Sequence, residues 1–247
     1  MSSLMRTLGL VICIAGTLLA PGCARQPTVG TLLDGYVRAR GGLERFEGIQ
    51  TLRMTAKASA GPDRKARVMR EIKHPGLIRT EFTFQGITSI YACDGEQGWY
   101  VAPLSGVIDP EVMSKEGTQR AIEQAAIGGP LVEWQAKGHT VDLLGKETID
   151  GRDVFKLKVT LTSGTVRYEF LDAESLLLKR TVSSRNYHDR TIEVETTYSD
   201  FRAVDGVVFP HLITIGAKGQ PLVLEVVVET IELNPPLDDS RFTVPIL

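Results

Sequence analysis

The chain has 247 residues, 43% of them hydrophobic and 23% charged, with 28 Lys and Arg against 30 Asp and Glu for a formal net charge of −2. That apolar fraction is too high, and the charge too balanced, for a disordered chain. The lack of a basic excess argues against a dedicated nucleic-acid binder, and the length suits one large domain whose core needs no disulfide staples.

The N-terminal residues stand apart. Arg6 precedes an apolar run at 8–19, too short for a spanning helix of about 20 residues and of the size of a secretory signal core. It leads into Leu19-Ala20-Pro21-Gly22-Cys23. A small residue directly before a cysteine, after an apolar run, resembles the lipobox of bacterial lipoproteins. The resemblance implies a signal peptide over 1–22, cleavage before Cys23, and lipidation of Cys23 with more than one acyl chain, the number that stable anchoring requires. Ala24 follows the cysteine where Asp is the inner-membrane retention signal, so the same resemblance favours the outer membrane. An ordinary signal peptide with a chance cysteine is the alternative. Cys23 and a short tether fill 23–30; residues 24–29 reach only about 20 Å, which keeps the folded part, 31–247, near the membrane surface. Cys13 leaves with the signal, so Cys93 has no partner and no disulfide is expected. Within an apolar strand pattern Cys93 reads as a small buried hydrophobe rather than a nucleophile.

In the folded part, Leu32, Leu33, Tyr36 and Val37, extended by Val29, form a helical face over 31–40. Gly41-Gly42 stops it, and a short helical turn follows at 43–46. The period then changes to two. Strands are predicted at 51–60, 65–73, 76–84, 87–93 and 99–102, separated by turn residues such as Gly61-Pro62-Asp63, Gln85-Gly86 and Asp94-Gly95. Asp109-Pro110 predicts an N-cap with proline at the first helical position, opening a helix to Ala126, and Pro130 restarts a short one.

Strands return from Thr140. Asp150-Gly151, Ser163-Gly164, Asp205-Gly206 and Lys218-Gly219 are two-residue turn signals. Between them the alternation is clean: Phe155, Leu157, Val159 and Leu161 share one face against Lys156 and Lys158, and Val194, Thr196 and Tyr198 oppose Glu193 and Glu195. One dry and one wet face indicate an antiparallel sheet covered on one side. Asp238-Asp239-Ser240 predicts a turn before a last strand. About eleven strands exceed what an open sheet holds without curling. The fold class is therefore α+β: a curved antiparallel β-sheet, an incomplete barrel, with a few helices covering the concave face.

Several segments then occur in a specific order. The lipobox and amphipathic helix are followed by Gly41-Gly42, His74-Pro75 with Arg79, and Tyr91-Ala92-Cys93-Asp94-Gly95 with Gly98-Trp99. A central helix, Asp200-Phe201-Arg202 through Phe209-Pro210, and Asp238-Asp239-Ser240-Arg241-Phe242 complete the series. This order resembles the LolA/LolB-like superfamily of outer-membrane lipoprotein-sorting proteins over nearly all of the mature chain. The resemblance implies a half-barrel with a helical lid over an apolar cavity, an envelope role in binding or carrying acyl chains or lipoproteins, a monomer, and no metal or other cofactor. His74 stands where the soluble carrier of that family has Arg.

Acyl chains offer no polar groups, so affinity rests on apolar area, roughly 0.8 kcal/mol per buried CH₂. Ile78, Phe82, Phe84, Tyr91 and Trp99 are the expected sheet lining. Met113, Ile122, Leu131, Val132 and Trp134 are the expected lid lining. Plain core packing is the alternative for each. Catalytic signatures such as GxSxG, HExxH and CxxC are absent, and His74, His139, His188 and His211 show no metal-ligand spacing. Glu193 with Glu195, and Glu225 with Glu229, read as solvated outer faces. Two further readings remain open: an envelope-stress sensing or interaction module with the same fold, and an envelope enzyme, which would place clustered polar groups of shifted pKa inside the cavity.

Overall fold

The computed structural model describes residues 26–187, 190–220 and 223–245. The expected signal peptide, Cys13, the lipidation site Cys23, Ala24 and His188 lie outside the described residues.

Helix α1 (Val29–Ala39) starts where Thr28 Oγ1 accepts the Thr31 N–H, and it buries Leu32, Leu33 and Tyr36 as one stripe. Gly41 and Gly42 end it at φ 115° and 95°, backbone that residues with a Cβ rarely adopt. Helix α2 (Leu43–Glu47) buries Phe46. Six strands follow: β1 (Thr51–Ser59), β2 (Lys65–Lys73), β3 (Leu77–Phe84), β4 (Ile87–Asp94), β5 (Gly98–Ala102) and β6 (Val107–Val112). Helix α3 (Lys115–Gln124) then crosses to the second arm: β7 (Thr140–Ile149), β8 (Arg152–Thr160), β9 (Val166–Asp172), β10 (Leu178–Tyr187), β11 (Arg190–Val204), β12 (Val207–Ala217) and β13 (Val223–Leu233).

All thirteen strands form one sheet in the order β6-β5-β4-β3-β2-β1-β13-β12-β11-β10-β9-β8-β7. Each arm is a meander, and the β1–β13 pair joins the two arms. The turn chemistry set the registers: Gln85-Gly86, Asp150-Gly151 and Asp205-Gly206 all have positive φ in both residues, the twist that suits tight antiparallel hairpins. The sheet is curved and open, with β6 and β7 as its edges.

One expected helix start is corrected. Asp109 and Pro110 lie inside β6, not at a helix N-terminus. Proline fits there because β6 is an edge strand with a side that has no ladder to donate to. The helix begins further on, where Ser114 Oγ accepts the Gly117 N–H at 3.1 Å, and it ends at Gln124 rather than Ala126. The segment after Pro130 forms turns, not a helix. The count of thirteen strands rather than eleven includes β6. Asp239–Arg241 forms a 3₁₀ turn, and among the described residues no strand follows it.

The concave face carries the main core. Leu52, Ile72, Ile78 and Cys93 from one arm and Val141, Phe155, Leu157, Val159 and Phe209 from the other bury against Leu32, Leu33, Tyr36 and Phe46 and against Leu131 and Val132. Full burial of each large aliphatic or aromatic side chain is worth about 1.5–3 kcal/mol. Cys93 is a buried free thiol, and burial is the main reason its pKa is raised. On the opposite face of β2–β5 the C-terminal segment acts as a strap. Trp99 Nε1 donates to Phe242 O, Arg79 donates to Arg241 O at 2.9 Å, and Glu71 accepts from Arg53 at 3.0 Å and Arg241 at 2.6 Å. Glu193 and Glu195 lie on the outer face with Lys218 and Arg180, as expected.

Candidate functional site

Register decides which side chains meet over the concave face. In an antiparallel pair, opposite residues share a face. Arg70 pairs with Thr80, Val68 with Phe82, Thr80 with Tyr91, and Tyr91 with Tyr100. Arg70, Ile78, Thr80, Phe82, Tyr91 and Tyr100 therefore project from one side of four adjacent strands. A cavity of about 610 Å³ lies over them, closed by Val112 and Met113 at the end of β6, by Ser114, Gly117, Arg120, Ala121 and Gln124 of the α3 segment, and by Arg185 of β10. Its volume is in the range of small-molecule sites.

The lid is pinned at both ends. Met113 N donates to Gly98 O at 2.8 Å, and Gly98 N donates to Thr118 Oγ1 at 3.1 Å. A Cβ at Gly98 would meet Met113 Sδ at 2.7 Å and Thr118 Oγ1 at 3.0 Å, so glycine is what allows the lid to approach the sheet. At the far end Glu123 accepts from Ser163 Oγ at 2.6 Å and Thr165 Oγ1 at 3.1 Å, in the loop between β8 and β9.

The cavity has two chemical halves. Phe82 meets Tyr91 edge-on at 6.1 Å, and Tyr91 stacks on Tyr100 at 6.0 Å, which with Val112 and Met113 makes an apolar wall. Tyr91 is 40% exposed and Val112 61%, unusually open for residues of this kind. The other half is cationic. Arg70 is half-buried, its Nε donating to Thr80 Oγ1 at 3.2 Å, and burial lowers its pKa. Arg185 reaches over the mouth, its pKa lowered by burial and by Arg120 and Arg167. Arg120 is paired with Glu116 at 2.8 Å. Deeper on the same face of β9–β11, Glu169 is fully buried, contacts Arg167 at 2.5 Å and accepts from Thr181 Oγ1 at 2.7 Å; burial raises its pKa and that of nearby Tyr198.

Of the ten residues expected to line a cavity, Ile78, Phe82, Tyr91 and Met113 do so. Trp99 does not: it is one residue off the parity of Tyr91 and lies on the other face under Phe242. Leu131 and Val132 are fully buried in the core, and Ile122 and Trp134 pack half-buried against it, so these four plug the half-barrel rather than line its vacant part. Phe84 shares the face of Phe82 but sits half-buried beside the β3–β4 turn. Sequence reasoning missed Tyr100, Arg70, Arg120 and Arg185. Arg70 left one trace, a charge between Val68 and Ile72 on an apolar face.

Leu104, in the 3₁₀ turn between β5 and β6, and Ile108, near the start of β6, are exposed apolar side chains outside the cavity lining. His139 Nδ1 is bonded to Thr162 Oγ1 at 3.2 Å and His211 Nδ1 to Phe209 O at 3.1 Å. Among the described residues no cluster of three His, Cys, Asp or Glu side chains fits a metal, and no helix is long and apolar enough to cross a membrane.

No protein-family sequence model matches the chain, and no curated protein matches it by sequence. Solved structures do match. A LolA superfamily protein from Nitrosomonas europaea is 17% identical, with a TM-score of 0.58 over 88% of this chain and 98% of that one. A domain described as an outer-membrane lipoprotein-sorting protein from Vibrio parahaemolyticus is 13% identical, TM-score 0.56, over 87% and 97%. A DUF1329 family protein from Desulfovibrio piger is 14% identical, TM-score 0.55, over 88% and 98%. Together with the open curved sheet and its helical lid, these matches give the chain a LolA-like fold.

Proposed function

We propose that this protein binds or carries an acyl-bearing ligand, a lipid or the lipid-modified end of a lipoprotein, in the cavity under α3. It works on the periplasmic side of a bacterial envelope, anchored through lipidated Cys23, with the outer membrane favoured by Ala24. The observation that carries this reading is the open wall of Phe82, Tyr91, Tyr100, Val112 and Met113 beneath the lid. Apolar surface left unfilled inside a fold is ligand space. The LolA-like fold, shared with a domain described as lipoprotein-sorting, supports the same class of ligand.

The cavity has the clustered polar groups that an enzyme would need, but its charged lining is arginine. Guanidinium does not exchange protons near neutral pH, so it recognises anions rather than performing acid–base work. Binding is therefore favoured over catalysis. Native mass spectrometry of the protein released from its own envelope tests the proposal. A co-purified species carrying acyl chains, lost when Tyr91 and Phe82 are both changed to Ala, is the expected result; protein that emerges free of lipid and fails to take up a fluorescent fatty acid overturns it.

A further inference from the structure

The charged half of the cavity narrows the ligand class. Arg70 and Arg185 face the cavity from opposite arms of the sheet, Arg70 on β2 and Arg185 on β10, and the curl of the sheet brings them to one space. Among the described residues neither has a carboxylate partner. The nearby acids are engaged elsewhere: Glu116 on Arg120, Glu169 on Arg167, Glu111 on Tyr100 Oη at 2.8 Å, and Glu123 on Ser163 and Thr165.

This matters once a ligand enters. A guanidinium stays charged at any physiological pH. A purely apolar guest would expel the water that now solvates these two cations and offer nothing in return, and burying an unpaired charge is strongly unfavourable. A carboxylate or phosphate oxygen on the guest removes that cost and adds charge-assisted hydrogen bonds. The aromatic wall and the cationic wall face the same 610 Å³ space, so one molecule meets both.

Resting on the acyl-binding reading above, we infer that the ligand is an anionic amphiphile, its tail against Phe82, Tyr91 and Tyr100 and its carboxylate or phosphate head between Arg70 and Arg185. Arg120 stands beside the head as a third cation, held back by Glu116.

The test is a fluorescence titration of the full chain, held in a fluorinated surfactant, with cis-parinaric acid and with its neutral methyl ester. At about pH 7.5 the acid is ionised, and it is expected to bind at least about tenfold tighter than the ester. Arg185→Gln, at the exposed mouth and away from the core, is expected to remove most of that preference by weakening acid binding, while the ester, with one unpaired charge fewer to bury, binds at least as tightly as before; Arg70→Gln does the same from inside. Glu116→Gln frees Arg120 and is expected to strengthen acid binding. Equal binding of acid and ester, insensitive to all three changes, overturns the anionic head while leaving the acyl reading standing. Binding of neither probe sinks the acyl reading itself. Displacement of the acid by acetate or inorganic phosphate at matched concentration overturns the amphiphile in favour of a small free anion.

Discussion

Trp99 Nε1 donates to the backbone carbonyl of Phe242 at 2.7 Å, and both side chains are buried. The bond ties the C-terminal strap to the face of β5 that looks away from the cavity. Trp99→Phe keeps a ring but strands the Phe242 carbonyl, with an expected loss of about 1–3 kcal/mol. Phe242→Ala should cost about 3–5 kcal/mol. Urea denaturation measures both, and fatty-acid affinity at low denaturant should stay unchanged, because neither residue touches the cavity.

Glu71 is 1% exposed and holds two cations, Arg53 and Arg241. Glu71→Gln leaves Arg53 with Glu232 at 3.2 Å and Arg241 with the more distant Glu81 at 3.8 Å, and loosens the strap. Both arginines retain some water, at 30% and 37% side-chain exposure, so the loss is expected at about 1–3 kcal/mol rather than that of a wholly buried pair. Chemical denaturation of Arg241→Gln should give a smaller loss, since Arg53 still answers Glu71.

Phe82 and Tyr91 are partly exposed to the cavity, so under the proposed acyl-binding role both are expected to contribute to ligand binding, Phe82 also packing beside the Val68 cluster. Phe82→Ala is expected to weaken binding of an acyl probe about tenfold, or 1.4 kcal/mol. Tyr91→Ala should do the same, with little change in urea midpoint. Ile78→Ala, buried at the cavity floor, should instead cost stability of about 2–5 kcal/mol. The contrast between the two kinds of loss separates lining from core.

Asp172 supplies a pH-dependent contribution. Burial alone would raise its pKa, but hydrogen bonds from Ser175 N at 2.8 Å, Ser175 Oγ at 2.9 Å and Glu174 N at 3.2 Å, with Arg152 nearby, bring it below the usual value. A depressed carboxyl stabilises the folded state fully above its unfolded pKa of about 3.9, and the contribution disappears as pH falls through the lower folded value. Asp172→Ala is therefore expected to lower stability near neutral pH by about 1–3 kcal/mol and to flatten the acid limb of the stability curve, measured by thermal unfolding from pH 7 to 2.

Much of the fold was legible because its strands are wet on one face. Phe155, Leu157 and Val159 alternate with lysines, and the positive-φ turn residues announced the hairpins. β6 was not legible, because Asp109-Pro110 satisfies a helix start and an edge strand equally well at short range; only its pairing with β5 decides. The cavity lining depended on parity. Tyr91 and Trp99 both look suitable, yet the Cys93–Gly98 register puts Tyr100 beside Tyr91 and sends Trp99 to the other side. The pairing of Arg70 with Arg185 lay beyond local sequence, since 115 residues and the curl of the whole sheet bring them together.

The two rims of the sheet carry a consequence for self-association. β6 ends one rim with Asp109 and Pro110, and β7 ends the other with Gly145 at φ 129° beside a break in its pairing with β8. A missing amide on one side and a kinked backbone on the other each spoil the template that a neighbouring molecule's strand would copy. A sheet this long can thus stay open without zipping end to end into filaments.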